Sequence, residues 1–252
     1  MSSDSEDLIR SQFGAAAADY ITSAVHAEGG DLERIAARAA EGASVRALDL
    51  GTGGGHVAYR LAPHAREVVA CDVTKEMLDA VAREATRRGH DNITAMQAGA
   101  EALPFADRSF DMVVSRFSAH HWQDFEAGLR EAHRVLAPGG VAIFIDGVAP
   151  ESARADVHLQ TIELLRDPSH GRDYSPAEWL GALARAGFVI RETRAWRLRM
   201  EFASWTARMR TSPEHVVAIR SLQRLVSAQV RERMAIEADG SWLLDVMSFE
   251  AS

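Results

Sequence analysis

The segment LDLGTGGGH, residues 48–56, constrains the fold of this chain more than any other feature. It overlaps the apolar run 45–50 and holds four glycines within five residues. A second apolar run, 68–71, ends at Asp72. This order predicts a strand, a glycine-rich turn, a helix and a second strand with a carboxylate at its tip. Such a unit holds a nucleoside-containing cofactor at the carboxyl end of a parallel sheet.

Two classes of cofactor use this geometry, and the glycine spacing distinguishes them. A dinucleotide site requires G-x-G-x-x-G, but the sixth position counted from Gly51 is His56. The fingerprint of a nicotinamide-dependent oxidoreductase therefore fails at its third glycine. The second pattern is an acid two residues before G-x-G-x-G, which Asp49, Gly51, Gly53 and Gly55 satisfy. A glycine-rich turn with a purely structural role remains a third interpretation of the segment alone.

The second pattern resembles motif I of the class I S-adenosylmethionine-dependent methyltransferases. Four further segments fall in the order and spacing of the type 11 family, which includes the ubiquinone and menaquinone methyltransferases. They are residues 13–20, 68–78, 98–122 and 131–146. The resemblance implies S-adenosylmethionine as the cofactor and S-adenosylhomocysteine as the product.

The resemblance also assigns roles around the cofactor. It implies that Asp72 accepts hydrogen bonds from both ribose hydroxyls and that Met77 packs on the adenine. Many relatives have an acid where this chain has Gly99, so the adenine is expected to be recognised by backbone at Ala100 and Glu101, or by another side chain. The expected cofactor-binding residues are Asp49, Gly51, Thr52, Gly53, Gly55, His56, Asp72, Val73, Met77, Ala100, Glu101 and Arg116.

Candidate catalytic residues follow the predicted fourth strand, where this fold places groups on the acceptor side. His121 and His120 are the candidates for a general base, because an imidazole titrates near neutrality. The alternative is that they pack the start of the next helix. His170 is a second-rank candidate for a base. Phe13 and Tyr20 are candidate aromatic gates, with helix packing as the alternative.

Composition narrows the partners. The net charge of −8 disfavours a nucleic-acid substrate. The single cysteine excludes an internal disulfide and a cysteine-based zinc site, and no metal is expected. The chain has neither a run of eighteen apolar residues nor a signal-peptide pattern, so a cytoplasmic enzyme without a membrane span is expected. Arginines between residues 191 and 210 indicate a solvated strand face, or an anionic substrate held by Arg208 or Arg210. The oligomeric state stays open.

Alternating apolar strands and amphipathic helices predict an α/β fold, a doubly wound sheet with helices on both faces. The predicted strands are 45–50, 67–72, 93–97, 110–115, 140–146, 188–200 and 241–251. The predicted helices are 5–26, 30–41, 54–62, 75–88, 123–136, 152–166, 176–186, 203–210 and 213–237. The resemblance adds a seven-stranded, mostly parallel Rossmann-like methyltransferase sheet with its last strand antiparallel between strands five and six.

The whole chain, 1–252, is expected to be a single methyltransferase domain. Its predicted parts are a helical N-terminal cap at 1–40, a cofactor-binding core at 41–150, and acceptor-side helices with the last two strands at 151–252. Residues 1–40 and 203–237 are the expected lids over the acceptor pocket. The predicted function is methyl transfer to oxygen, carbon or nitrogen of a small metabolite. The alternatives are a nicotinamide-dependent oxidoreductase and a cofactor-binding paralogue without methyltransfer activity.

Overall fold

The computed structural model describes Leu8, residues 29–42 and residues 45–252. Within this part of the chain, seven strands form one sheet in the order β3-β2-β1-β4-β5-β7-β6. The strands are β1 Val45–Leu50, β2 Ala65–Asp72, β3 Ile93–Gln97, β4 Phe110–Arg116, β5 Leu136–Gly147, β6 Ile190–Met200 and β7 Trp242–Ala251. All neighbours are parallel except β7, which is antiparallel to both β5 and β6. The predicted α/β fold class and the place of the last strand are therefore confirmed.

Nine α-helices accompany these strands in the described residues. They are α1 Gly30–Ala40, α2 His56–Leu61, α3 Lys75–Arg88, α4 Phe125–Val135, α5 Ala153–Arg166, α6 Pro176–Ala186, α7 Phe202–Arg208, α8 Pro213–Leu225 and α9 Ala228–Arg233. Five of the nine N-termini have a side-chain cap, and two of the C-termini end at a left-handed glycine. Ser175 caps α6 in a capping box with Glu178, and Gly187 ends it in a left-handed conformation. None of these helices is long and apolar enough to cross a membrane.

Apolar side chains fill both sides of the sheet. Along β1, Ala47 belongs to one apolar layer and its neighbour Leu48 to the other. The alternation follows from the two-residue period of a strand whose two faces are both covered by helices. The first layer includes Ile35, Val57, Leu159, Trp205 and Trp242. The second includes Leu129, Phe144, Trp179, Leu183 and Phe249.

Two predicted helices differ from the structure, and both differences have local causes. The helix predicted for 123–136 ends at Val135, since Leu136 already pairs with Phe110 and begins β5. The register shifts after that pair, so the Pro-Gly-Gly turn lies within the strand. The helix predicted for 213–237 is two helices, because Val226 is extended and the Ser227 side chain accepts a hydrogen bond from the Val230 amide.

The two segments that were expected to form lids pack against different helices. In the N-terminal cap, α1 packs against α2 and buries Leu32 and Ile35. The helix predicted for 5–26 lies outside the described residues apart from Leu8. The C-terminal addition forms α7, α8 and α9, and α8 packs against α5. Since the carboxyl ends of β1, β2, β4 and β5 are adjacent in the sheet, the residues that follow them meet at one edge.

Candidate active site

The turn after β1 has a backbone that only glycine can adopt without strain. Gly51 has a φ of 74°, and a Cβ atom there would lie 1.9 Å from the Ser118 hydroxyl oxygen. The Gly51 and Thr52 amides both donate to the Cys71 carbonyl, at 2.9 and 2.8 Å. Gly55 is also left-handed, with a φ of 81°, and begins α2. The turn is thus tied to β2 on one side and to the loop after β4 on the other.

Asp49 organises this turn from inside the protein. One carboxylate oxygen, Oδ2, accepts hydrogen bonds from the Thr52 hydroxyl at 2.6 Å and from the Ala58 amide at 3.0 Å. Burial raises the pKa of Asp49 to about 7, although these two hydrogen bonds act in the opposite direction. A positively charged ligand at this point would favour the ionised carboxylate.

Asp72 stands at the tip of β2, as the sequence predicts. Its Oδ2 accepts from the Gly53 amide and its Oδ1 from the Thr74 amide, each at 2.9 Å. Burial raises the pKa of Asp72, while these hydrogen bonds favour the charged form. Each carboxylate oxygen has a further lone pair, so two hydroxyl donors fit this group.

The predicted cofactor residues lie around one cavity at this edge of the sheet. Eleven of the twelve line it, and Gly55 does not. The role of Gly55 in the structure is to begin α2, where an added Cβ atom would lie 2.6 Å from the Tyr59 ring. Phe13 and Tyr20, the expected gates, lie outside the described residues.

Arg116, at the end of β4, joins the cavity wall to the N-terminal helix. Its guanidinium donates to the Asp31 carboxylate at 2.5 Å, and both side chains are almost completely buried. The Glu101 carboxylate accepts a hydrogen bond from the backbone amide of Gln123 at 2.8 Å, so it positions the loop after β4. These contacts hold the loop beside the site.

The two histidines after β4 have different partners. His120 shares a hydrogen bond of 2.7 Å between its Nδ1 and the Asp146 carboxylate, and its backbone amide donates to the same group at 3.2 Å. His121 directs its Nδ1 to the Ser169 carbonyl at 3.1 Å, which requires Nδ1 to carry the proton. The ring centroids are 4.1 Å apart. Both residues line the cavity, as expected of acceptor-side residues.

The electrostatic environments of the pair diverge. Burial lowers the pKa of His120, but the charge and hydrogen bond of Asp146 outweigh it and raise that pKa to about 9. Burial and the neighbouring His120 lower the pKa of His121 to about 4. At neutral pH His120 is therefore protonated and His121 is neutral.

A buried polar wall completes the cavity beyond the histidines. Its charged members are Asp146, Glu163, Arg166, Asp167, Asp173 and Arg208. The first of these carries a signal that the sequence prediction missed: an acid at the tip of an apolar strand, as at Asp72. His170 also lines the wall, but its Nε2 lies 3.0 Å from the Gln160 Oε1, which gives it a structural contact. Burial lowers its pKa well below the usual range.

The arginines near the C-terminus divide into two groups. Arg197 and Arg199 form ion pairs with Asp245 at 3.1 Å and Glu237 at 2.6 Å on the partly exposed face of β6. The predicted solvated strand face is confirmed for this pair. Arg208 lines the cavity, whereas Arg210 does not.

Known proteins resemble this chain in sequence and in fold. The family described as "Methyltransferase domain" matches residues 48–144. YafE of Escherichia coli strain K12, an uncharacterized protein, is 44% identical over 197 residues, which are 78% of this chain and 95% of YafE. The crystal structure of YcgJ from Bacillus subtilis superposes with a TM-score of 0.84 at 30% identity, covering 88% of this chain and 97% of that one. Demethylmenaquinone methyltransferase of Chlorobaculum tepidum is 40% identical over 108 residues, 42% of each chain.

The parallel sheet with its antiparallel last strand and the turn between Asp49 and Asp72 define a class I S-adenosylmethionine-dependent methyltransferase. The chain belongs to the type 11 family of these enzymes. Its cofactor is S-adenosylmethionine. The alternative of a nicotinamide-dependent oxidoreductase is therefore wrong.

Proposed function

We propose that this methyltransferase methylates an oxygen, carbon or nitrogen atom of a small molecule. The acceptor binds beside the ends of β4 and β5. The observation that carries the proposal is the continuity of one cavity. Its wall runs from Gly53 and Asp72, on the cofactor side, to His120, Asp146 and Asp173 on the other side. A cofactor held by the first group directs its methyl group into a space lined by the second.

The twelve predicted cofactor residues are part of this proposal. Asp72 receives the ribose hydroxyls, and Asp49 attracts the positive charge of the cofactor. Methyl transfer from a sulfonium is an in-line displacement, in which the acceptor atom forms a bond to the methyl carbon as the carbon–sulfur bond breaks. The main tasks of the protein are therefore to align the two reactants and to exclude water.

In this proposal His120 faces the acceptor atom, and Asp146 orients its imidazole ring. The hydrogen bond between Nδ1 and Asp146 leaves Nε2 as the ring nitrogen that can meet an acceptor. Within the part of the chain that the structure describes, the side-chain hydrogen bond of His120 is the one at Nδ1. His121 contributes to the shape of the site through its hydrogen bond with Ser169.

A small acceptor suits both the charge and the enclosure of the site. The acceptor side carries several buried acids, including Glu163, Asp167 and Asp173. A phosphate backbone would meet these acids and a net charge of −8, which opposes binding of a nucleic acid. Location in the cytoplasm stays a prediction from the sequence.

Calorimetry with purified protein tests the cofactor half of the proposal first. We expect S-adenosylmethionine and S-adenosylhomocysteine to bind with micromolar dissociation constants and NAD to give no heat. The acceptor is then sought by incubating the protein and deuteromethyl-labelled cofactor with fractionated small-molecule extracts, and detecting the mass shift of the label. Asp72→Ala is the control that should lose incorporation of the label. Tight cofactor binding without incorporation in any fraction would favour a cofactor-binding paralogue without methyltransfer activity.

A further inference from the structure

Three side chains that commonly bind metals converge on the acceptor side of the cavity. His120 follows β4, Asp146 lies near the end of β5, and Asp173 lies in the segment before α6. One ligand atom from each falls within 4.8 Å of the other two. All three residues line the cavity that also holds the cofactor loop. Their convergence joins three parts of the chain that are distant in sequence.

Asp173 is the least explained member of the group. Its residue is only 4% exposed, and its buried Oδ2 atom has no hydrogen-bond partner among the described residues. The nearest basic atom is the His170 Nε2 at 3.9 Å, and that nitrogen lies within hydrogen-bonding distance of Gln160. A carboxyl group that is removed from water without hydrogen-bond donors favours its neutral form. A bound cation would favour the ionised carboxylate instead.

The three groups are held in place before any ligand arrives. Gln160 accepts from the Asp173 amide at 3.1 Å and donates to the Asp173 carbonyl at 2.9 Å, which fixes this backbone. The Asp146 carboxylate accepts from the Gly147 amide at 2.9 Å as well as from His120. A Cβ atom at Gly147 would lie 3.0 Å from the Asp173 Oδ1, so the glycine leaves room for that carboxylate. Such support is typical of a preorganised ligand site.

We propose that His120, Asp146 and Asp173 bind a divalent cation that displaces a ring proton of His120 to solvent and holds an oxygen atom of the methyl acceptor. One imidazole and two carboxylates suit Mn²⁺, Fe²⁺ or Zn²⁺, and leave coordination positions open for an acceptor and water. Two ligands at about 2.1 Å from one ion lie at most about 4.2 Å apart, so the groups move together by roughly half an ångström. The cation site replaces the sequence-based expectation of no metal.

This inference rests on the proposed function and specifies its acceptor as an oxygen-bearing molecule. A hydroxyl group bound to a divalent cation loses its proton more readily, as bound water does. The released proton passes to solvent, and the oxygen forms a bond to the methyl carbon. The carbon–sulfur bond breaks with its electron pair going to sulfur, which leaves neutral S-adenosylhomocysteine. The cation keeps its charge throughout.

Mn²⁺ binding to full-length, chelator-treated protein tests the site. We expect calorimetry to show one Mn²⁺ per chain, both with and without S-adenosylhomocysteine. We also expect pulsed electron paramagnetic resonance of the bound ion to show coupling to an imidazole nitrogen. Asp173→Asn should weaken Mn²⁺ binding at least tenfold. The matched control is Asp167→Asn, another buried acid of the cavity, whose Oδ1 contacts with Ser169 an asparagine oxygen can keep. It should change Mn²⁺ affinity less than threefold.

The readouts separate failure of this inference from failure of the proposed function. Binding of S-adenosylhomocysteine to Asp173→Asn reports that the variant is folded. If the wild-type protein binds no Mn²⁺, or binds it without nitrogen coupling, the cation site is wrong whatever the variant does. Equal Mn²⁺ affinity of wild type and a folded Asp173→Asn would overturn it too. Methyl transfer that survives removal of metal would leave the proposed function standing without the cation.

Discussion

The two halves of the cavity are built in different ways. The cofactor half comes from the turn after β1 and the tip of β2, and it presents backbone amides together with Asp49 and Asp72. The acceptor half comes from β4, β5, α5 and the segment before α6, and it presents charged side chains. Its key contacts span long distances in sequence, such as His120 with Asp146, 26 residues apart. The first half is therefore built mainly from one strand–turn–helix–strand segment, whereas the second depends on elements from several parts of the chain.

This difference indicates that the specificity for the acceptor can change more easily than the specificity for the cofactor. The turn after β1 tolerates few substitutions, because it needs glycines at left-handed positions together with buried acids. Side chains on separate elements can be exchanged without disturbing that turn. Substitutions in the two halves should therefore separate into effects on cofactor binding and effects that spare it.

Gly51→Ala should give the largest effect. A Cβ atom 1.9 Å from the Ser118 hydroxyl cannot be accommodated, and the φ of 74° adds strain. We expect a loss of about 4 kcal/mol or more in unfolding free energy and no detectable cofactor binding. The matched variant Gly53→Ala meets no atom within 4 Å and should cost only about 1–2 kcal/mol. Urea unfolding and calorimetry measure both, and equal losses would show that conformation rather than the Ser118 contact matters.

Asp49→Asn should change stability with pH. Burial holds the pKa of Asp49 near 7 in the folded state, against 3.8 in the unfolded chain. The unfolded state therefore binds fewer protons between these values, so stability falls as the pH rises and the penalty persists above pH 7. An asparagine oxygen keeps the hydrogen bonds from Thr52 and Ala58. Relative to wild type, the variant should gain about 2–3 kcal/mol between pH 5 and pH 8.

Urea unfolding at several pH values measures this gain. The same variant should bind S-adenosylmethionine more weakly at pH 8, because it lacks the negative charge that attracts the cofactor. A stability difference that is independent of pH would contradict the protonation of buried Asp49.

Asp72→Ala should weaken cofactor binding by about 1.5–3 kcal/mol, the range for hydrogen bonds to a charged group. Calorimetry with S-adenosylhomocysteine measures the change. Asp79→Ala is the control, because Asp79 forms an exposed ion pair with Lys75 on the following helix. If the two variants bind alike, the assignment of Asp72 to the ribose is wrong.

Gln160→Leu should give the smallest effect and should fall on the acceptor half alone. It removes the side chain that pairs with both backbone groups of Asp173 and contacts His170. We expect a loss of about 1–2 kcal/mol in unfolding free energy and unchanged affinity for S-adenosylhomocysteine. Gln97→Leu, which loses one exposed hydrogen bond to Val73, is the stability control. A cofactor affinity that falls with Gln160→Leu would break the separation of the two halves.

The conformation of the glycine-rich turn and several helix ends could be predicted from the sequence, because they depend on residues that are close together in the chain. Gly51 and Gly55 both have positive φ angles, which are unfavourable for residues other than glycine. Gly187 and Ser212 mark helix ends through their own backbone or side chain. The helix predicted for 213–237 was wrong because Ser227 caps a new helix, and its hydroxyl competes with the helical hydrogen bonds.

The amino-acid sequence by itself determined the cofactor half, the alternation of strands and helices, and the class of enzyme that they form. The turn and the alternation follow from periodicity, glycine conformations and charges that act within the segment, whereas the class of enzyme follows from the resemblance of these motifs to a known family. Only the tertiary structure decided the acceptor half. Asp146, Asp173 and His120 meet because parallel strands end at one edge of the sheet, and Arg116 meets Asp31 across 85 residues. Asp146 then raises the pKa of His120 against the effect of burial, since the cost of removing a charge from water depends on everything packed around it.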